Sequence, residues 1–73
     1  MDEMSWRARL ARNNINILNV DDERWYYEFM YHPYSGSTKW CKTFYETHSG
    51  RDPEDVARDI NLEVAKLRRE LER

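Results

Sequence analysis

Residues 24–46 have the sequence RWYYEFMYHPYSGSTKWCKTFYE, in which two segments rich in aromatic residues flank a segment that contains proline and glycine. Aromatic residues favour the pleated, half-buried surface of a β-strand. Pro33 and Gly36 favour a turn between the two segments. The stretch therefore predicts a β-hairpin whose strands span Trp25–His32 and Thr38–Glu46.

Alternation along the hairpin predicts which side chains share a face, because successive side chains of a strand point to opposite sides of the sheet. Tyr26 falls on the side that also carries Glu28, Met30 and His32. The other side of the first strand is the more aromatic one, and we expect it to form the core face together with two aromatic residues of the second strand. The expected core-face residues are Trp25, Tyr27, Phe29, Tyr31, Trp40 and Phe44.

A long helix is predicted over residues 52–72, because Asp52 can cap it and Pro53 suits its first position. Two acidic residues follow in the first turn, where they favour the positive end of the helix dipole. Apolar residues then recur at helical spacing and predict a stripe that faces the core. The stripe consists of Val56, Ala57, Ile60, Val64, Leu67 and Leu71.

A third strand is predicted before the hairpin, where Ile15, Ile17, Leu18 and Val20 precede a polar turn at residues 21–23. Two strands alone are marginally stable in water, whereas three strands with a helix across one face form a two-layer core. We therefore predict an α+β fold in the order β-β-β-α, with a three-stranded antiparallel sheet over residues 15–46 and one long C-terminal helix.

Residues 1–14 are predicted to form an N-terminal arm that is mobile, loosely docked or folded as a short helix. Trp6 and Leu10 lie four residues apart with arginines around them, a spacing that suits an amphipathic helix. No strong capping residue precedes them, and chain ends fray easily.

Length and charge restrict the function classes. A chain of 73 residues forms one domain, here residues 1–73. Its 12 basic and 14 acidic residues give a net charge of −2, which is too balanced for a protein held on DNA mainly by phosphate contacts. No apolar run approaches the ~18 residues of a membrane span. Cys41 is the single cysteine, which favours a reducing cytoplasm.

Residue types that could carry chemistry are few. Cys41 could act as a nucleophile, and His32 or His48 as its base, but nothing in their spacing brings them together. The same three residues with Glu46 could supply metal ligands, yet they lack the paired-cysteine or paired-histidine spacing of zinc sites. We expect no catalytic residues, no metal and no cofactor.

The hairpin segment Arg24–Phe29, its glycine turn, the segment Lys39–Phe44 and the helix that follows loosely resemble the arm-binding domains of phage integrases and plant AP2-type domains. The resemblance covers about half of the chain. It implies a sheet that reads DNA, and Arg24, Lys39 and Lys42 are the basic residues on the predicted strands that could contact it. The strands carry few basic residues and the helix starts with acidic ones, so DNA is the alternative partner and protein the preferred one.

Exposed side chains are expected to supply a protein-binding surface, because the aromatic residues exceed what one sheet face can bury. Exposed aromatic residues and arginines are the usual anchors of interfaces. The predicted partner-binding residues are Trp6, Arg7, Arg9, Arg12, Tyr26, Tyr34, Tyr45 and Leu62. A homodimer through the second face of the sheet remains open as well.

In its small size, high charge, aromatic content and lack of a catalytic motif, the whole chain resembles the small host-takeover proteins that bacteriophages encode. These include proteins that bind bacterial RNA polymerase and proteins that block defence nucleases. The resemblance implies a stoichiometric inhibitor or regulator in the host cytoplasm. RNA polymerase is the favoured partner, and a defence nuclease, as for an anti-CRISPR protein, is the alternative.

Overall fold

The computed structural model describes residues 3–72, with side chains described from Trp6 onward; residues 1, 2 and 73 lie outside it, the first two of them in the predicted arm. The elements are α1 (Glu3–Arg12), β1 (Ile15–Val20), β2 (Arg24–Tyr31), β3 (Lys39–Glu46) and α2 (Pro53–Leu71). The predicted α+β fold is confirmed, and a short helix precedes its β-β-β-α order.

The sheet has the strand order β1-β2-β3, and both neighbouring pairs are antiparallel. In β1 the register shifts, since Ile17 lies opposite Tyr27 while Asn19 lies opposite Tyr26. Leu18 is therefore the extra residue of a β-bulge, which bends the edge strand and increases its twist. β2 is the central strand and carries the core.

The C-terminal helix begins where the capping residues predict. The Asp52 carboxylate accepts a hydrogen bond of 3.0 Å from the backbone N–H of Glu54, and Pro53 occupies the first turn. Just before it, Gly50 has a φ of 92°, a left-handed conformation that glycine adopts without strain. The chain thus turns from β3 into α2 with its helix end capped.

The core lies between the sheet and the two helices. Side chains at odd-numbered positions of β2 face it, together with the first part of the α2 stripe. Leu67 packs against the core only in part, and Leu71, the last residue of α2, is 39% exposed, so the predicted stripe is too long at its end. The buried core residues are Trp6, Leu10, Ile15, Trp25, Tyr27, Phe29, Val56, Ala57, Ile60 and Val64.

The N-terminal segment is part of this core: the short helix predicted as one alternative for it is confirmed, and the mobile or loosely docked arm is wrong for the described residues. Trp6 is 4% exposed and Leu10 1% exposed, and the Trp6 ring lies 4.9 Å from the ring of Trp25. The physical reason is the four-residue spacing, which puts both side chains on one helix face. The guanidinium of Arg9 pairs with Glu54 and fixes α1 against α2.

The predicted side of two aromatic residues of β3 is also wrong. Trp40 is 48% exposed and Phe44 47% exposed, because the hairpin register places them opposite Met30 and Tyr26, on the side away from the helices. Side chains at directly opposite positions of an antiparallel pair point to the same face. The core side of β3 instead carries smaller or polar residues, all of them half-buried: Cys41, Thr43 and Tyr45.

Candidate protein-docking face

The side of the sheet turned away from both helices presents a regular array of side chains, here called the open face. It consists of four cross-strand rows from β2 and β3. Charged and apolar rows alternate along the strands, with neighbouring rows ~7 Å apart. In order, the rows are Arg24 with Glu46, Tyr26 with Phe44, Glu28 with Lys42, and Met30 with Trp40.

The two apolar rows bring large side chains to the surface. The rings of Tyr26 and Phe44 lie 6.1 Å apart at 50°, a tilted packing that favours aromatic pairs. Met30 lies opposite Trp40 two rows further along. Leu18, in the bulge of the edge strand β1, is a further exposed apolar residue of the sheet, at 50% exposure.

Each of the two charged rows pairs a basic side chain with an acidic one. The guanidinium of Arg24 lies 3.8 Å from the Glu46 carboxylate and 5.0 Å from the centre of the Phe44 ring. The Glu28 carboxylate accepts a hydrogen bond of 3.2 Å from the Asn16 amide and lies opposite Lys42. Exposed ion pairs of this kind contribute little to stability. With two basic and two acidic side chains, the rows carry no net charge.

The predicted partner-binding residues of α1 do not form one exposed surface. Trp6 is buried, so its expected role as an exposed anchor is wrong. The Arg7 guanidinium covers the outer side of that ring at 4.6 Å from its centre. Arg9 is engaged with Glu54, whereas Arg12 is exposed in the last turn.

The remaining predicted residues are dispersed. Tyr26 belongs to the open face, Tyr34 is 79% exposed in the loop after β2, and Leu62 is 66% exposed on α2. Tyr45 is on the core side of β3, where its hydroxyl donates a hydrogen bond of 2.9 Å to Asp59. The structure therefore brings only Tyr26 into the array of exposed aromatic side chains.

Trp40, Phe44 and Met30 were not predicted as surface anchors, although the sequence holds a signal for them. Lys42 and Glu46 have the same parity along β3 as the two aromatic residues. Unpaired charges are costly to bury. The side of β3 that carries Lys42 and Glu46 therefore faces solvent, and Trp40 and Phe44 lie on that same side.

Tyr45, Asp59 and Arg51 tie β3 to α2. The Asp59 carboxylate also accepts a hydrogen bond of 3.0 Å from the Arg51 guanidinium. The hydrogen bond from Tyr45 and that from Arg51 hold the pKa of Asp59 below the ordinary value of an aspartate. Burial, followed by the bond to Asp59, raises the pKa of Tyr45. Both groups keep their ordinary charge at neutral pH, which fits a structural tie.

A groove of about 350 Å³ lies beside this tie, between β3 and α2. Tyr27, Thr43, Glu63 and Leu67 are among its lining residues. Burial, with Glu63 adding to it, raises the pKa of Tyr27 to about 12. The phenol thus stays protonated and cannot serve as a base at neutral pH.

The residues weighed for chemistry lie in separate environments. His32 is in the loop after β2, where a ring nitrogen lies 2.9 Å from the Thr38 hydroxyl. The His48 ring contacts the carbonyl oxygen of Ser49 at 3.0 Å, and Cys41 packs half-buried on the core side of β3. Among the side chains that the structure describes, no group of three from His, Cys, Asp or Glu could hold a metal ion.

Neither described helix has the length and apolar character needed to cross a membrane. Comparison of the chain with protein-family models, with curated proteins and with solved structures finds no match.

Proposed function

We propose that this chain is a non-catalytic protein-binding regulator that docks on a larger assembly through the open face. The observation that carries the proposal is the exposure of Trp40 and Phe44, each close to half, on the same side of the sheet. Aromatic residues and methionine are enriched where proteins meet, and a few such anchors supply most of the binding energy.

The charge of the open face favours protein over nucleic acid. Arg24 and Lys42 could contact phosphates, but Glu28 and Glu46 lie directly beside them across the strands. A nucleic acid on this face would bring its phosphates against both carboxylates. A protein surface can instead meet alternating charges with alternating charges of the opposite sign.

The identity of the assembly rests on the resemblance to phage host-takeover proteins. Bacterial RNA polymerase is the partner we propose first, and a defence nuclease second. The host cytoplasm is the proposed compartment, in keeping with a single thiol at Cys41. In this role the chain acts by occupying a surface of the enzyme, and the chemistry belongs to the partner.

The test is direct binding of purified bacterial RNA polymerase to the immobilised chain, after nuclease treatment of both. Wild type is compared with Trp40→Ala/Phe44→Ala and with the matched control Tyr34→Ala, which removes an exposed aromatic residue outside the open face. We expect the double variant to weaken binding by about 30-fold or more, since the loss of a single anchor worth about 2 kcal/mol already has that effect. Equal affinity of the double variant would refute docking through this face.

DNA binding is the second candidate, favoured by the Arg24 guanidinium stacked over Phe44 on the exposed side of a three-stranded sheet. If the open face reads duplex DNA, Glu28→Gln/Glu46→Gln should tighten binding, because it removes charges that repel phosphates. Affinity should also fall steeply as salt rises. A gel-shift titration of duplex DNA with wild type and with Glu28→Gln/Glu46→Gln, each at two salt concentrations, separates DNA binding from protein docking.

A further inference from the structure

The pattern of charges on the open face is complementary to itself. Each charged row holds one basic and one acidic side chain, and the order reverses from the first charged row to the second. We propose that the open face binds a second copy of this chain, face to face, about a twofold axis parallel to the strands and midway between β2 and β3. This inference rests on the proposed function of the open face as a protein-binding surface.

Rotation about that axis places each β2 residue over the β3 residue of the same row in the other copy. Arg24 then meets Glu46 of the second copy, and Glu28 meets Lys42 of the second copy. The apolar rows meet in the same way, with each Trp40 over a Met30. All four rows are covered, and no charge faces a charge of its own sign.

An axis across the strands, through the row of Tyr26 and Phe44, is the other twofold arrangement that pairs opposite charges. It places Arg24 over Glu28 and Glu46 over Lys42. The row of Met30 and Trp40 then extends past the edge of the interface and stays in water. The axis parallel to the strands buries more apolar surface and is the one we propose.

Sheet-on-sheet packing of this kind has a common geometry. Two sheets pack ~10 Å apart with their strands within about 30° of one another, and each interface of a twofold dimer is made by the same patch on both copies. The helices lie on the outer sides, so the dimer has four layers. A binding partner would compete with the second copy for the same rows.

The experiment uses two variants with single-sign faces, studied by sedimentation equilibrium at concentrations up to about 1 mM. Arg24→Glu/Lys42→Glu makes the charged rows fully acidic, and Glu28→Lys/Glu46→Lys makes them fully basic. We expect wild type to reach twice the 9.0 kDa chain mass and each variant alone to stay monomeric. An equimolar mixture should form a heterodimer, because each acidic face meets a basic one.

A wild-type chain that stays monomeric, or a mixture that fails to associate, would overturn the proposal. The exchange variant Arg24→Glu/Glu46→Arg tests the axis: it should dimerise to within about threefold of wild type, since each altered charge still meets its opposite. Loss of dimerisation in the exchange variant would overturn the parallel axis. Circular dichroism checks that each variant is folded.

The two proposals fail separately. If wild type is monomeric while Trp40→Ala/Phe44→Ala abolishes binding to RNA polymerase, the second copy is excluded and the docking function stands. If wild type dimerises through the charged rows but neither wild type nor any variant binds RNA polymerase, the dimer stands and the proposed partner is excluded.

Discussion

One side chain, that of Arg68, connects three parts of this small domain through hydrogen bonds to backbone carbonyl oxygens. Arg68 donates hydrogen bonds of 2.8 Å to the Met30 carbonyl oxygen and 2.6 Å to the Asn13 carbonyl oxygen, and its guanidinium lies 5.9 Å from the Phe29 ring centre. One planar, charged group therefore joins α2 to the end of β2 and to the turn after α1. Lysine cannot reproduce that forked geometry.

Arg68→Ala should lower the free energy of unfolding by roughly 2 kcal/mol, because hydrogen bonds from a charged donor are among the stronger ones. Arg68→Lys should lose most of the same amount. The neighbouring Arg69 is exposed, so Arg69→Ala is the control and should change stability little. Urea denaturation measures all three, and equal midpoints for Arg68→Ala and Arg69→Ala would show that the bridge contributes nothing.

Asp59 should make the stability of the domain depend on pH in acid. Its folded-state pKa is held below the ordinary value of an aspartate, chiefly by the Tyr45 hydrogen bond and then by Arg51. A carboxyl group of this kind stabilises the folded chain above its unfolded pKa, and that contribution is lost as pH falls through the lower folded pKa. Asp59→Asn should therefore destabilise the domain at neutral pH and reduce its further loss of stability below about pH 4.

Melting temperature as a function of pH tests this, with Asp22→Asn, at an exposed turn residue, as the control. Asp59→Asn should converge on wild type in acid, whereas the control should follow wild type throughout. Parallel curves for Asp59→Asn and wild type would contradict a lowered pKa at Asp59.

Among the elements, α1 is the one whose position is least predictable from the sequence, because packing against the rest of the core stabilises it. Its buried side chains, Trp6 and Leu10, belong to the same core cluster as residues of the sheet and of α2. Asn13 adds a hydrogen bond of 2.8 Å from its amide to Asn61 of α2. A short helix without strong caps is marginal in isolation and is stabilised here by tertiary contacts.

Trp6→Ala should cost about 3–5 kcal/mol, because it leaves a large cavity against Trp25. Total stabilities of small domains are commonly about 5–15 kcal/mol, so the variant should melt far below wild type. Arg7→Ala, which removes only the outer cover of the ring, is the matched control and should melt close to wild type. A Trp6→Ala variant with wild-type melting would show that α1 is not part of the cooperative core.

For the molecule as a whole, local signals were sufficient for the fold and insufficient for the site. Asp52 and Pro53 determine where α2 begins, and aromatic strands around Pro33 and Gly36 determine the hairpin. The face of β3 has two opposing signals, because Trp40 and Phe44 favour burial while Lys42 and Glu46, on the same side of the strand, favour solvent. The charges decide it, so a prediction that buries the largest side chains places Trp40 on the wrong side.

The open face is also a whole-molecule feature, because both helices pack on one side of a single sheet. Within residues 3–72, no helix or strand covers the other side. The exposed rows are thus either a surface in water or an interface, and large exposed apolar patches usually mark interfaces.

Hydroxyl-radical footprinting read by mass spectrometry tests most directly whether protein covers the open face. Trp6 and Trp25 are buried and serve as internal references, while Trp40 is 48% and Tyr34 79% exposed. Footprints are taken of the dilute chain, of the concentrated chain and of the chain with purified RNA polymerase. We expect oxidation of Trp40 to fall in at least one of the two associated states while that of Tyr34 is retained. Trp40 oxidation that stays at the dilute level in both states would contradict the open face as a protein-docking surface.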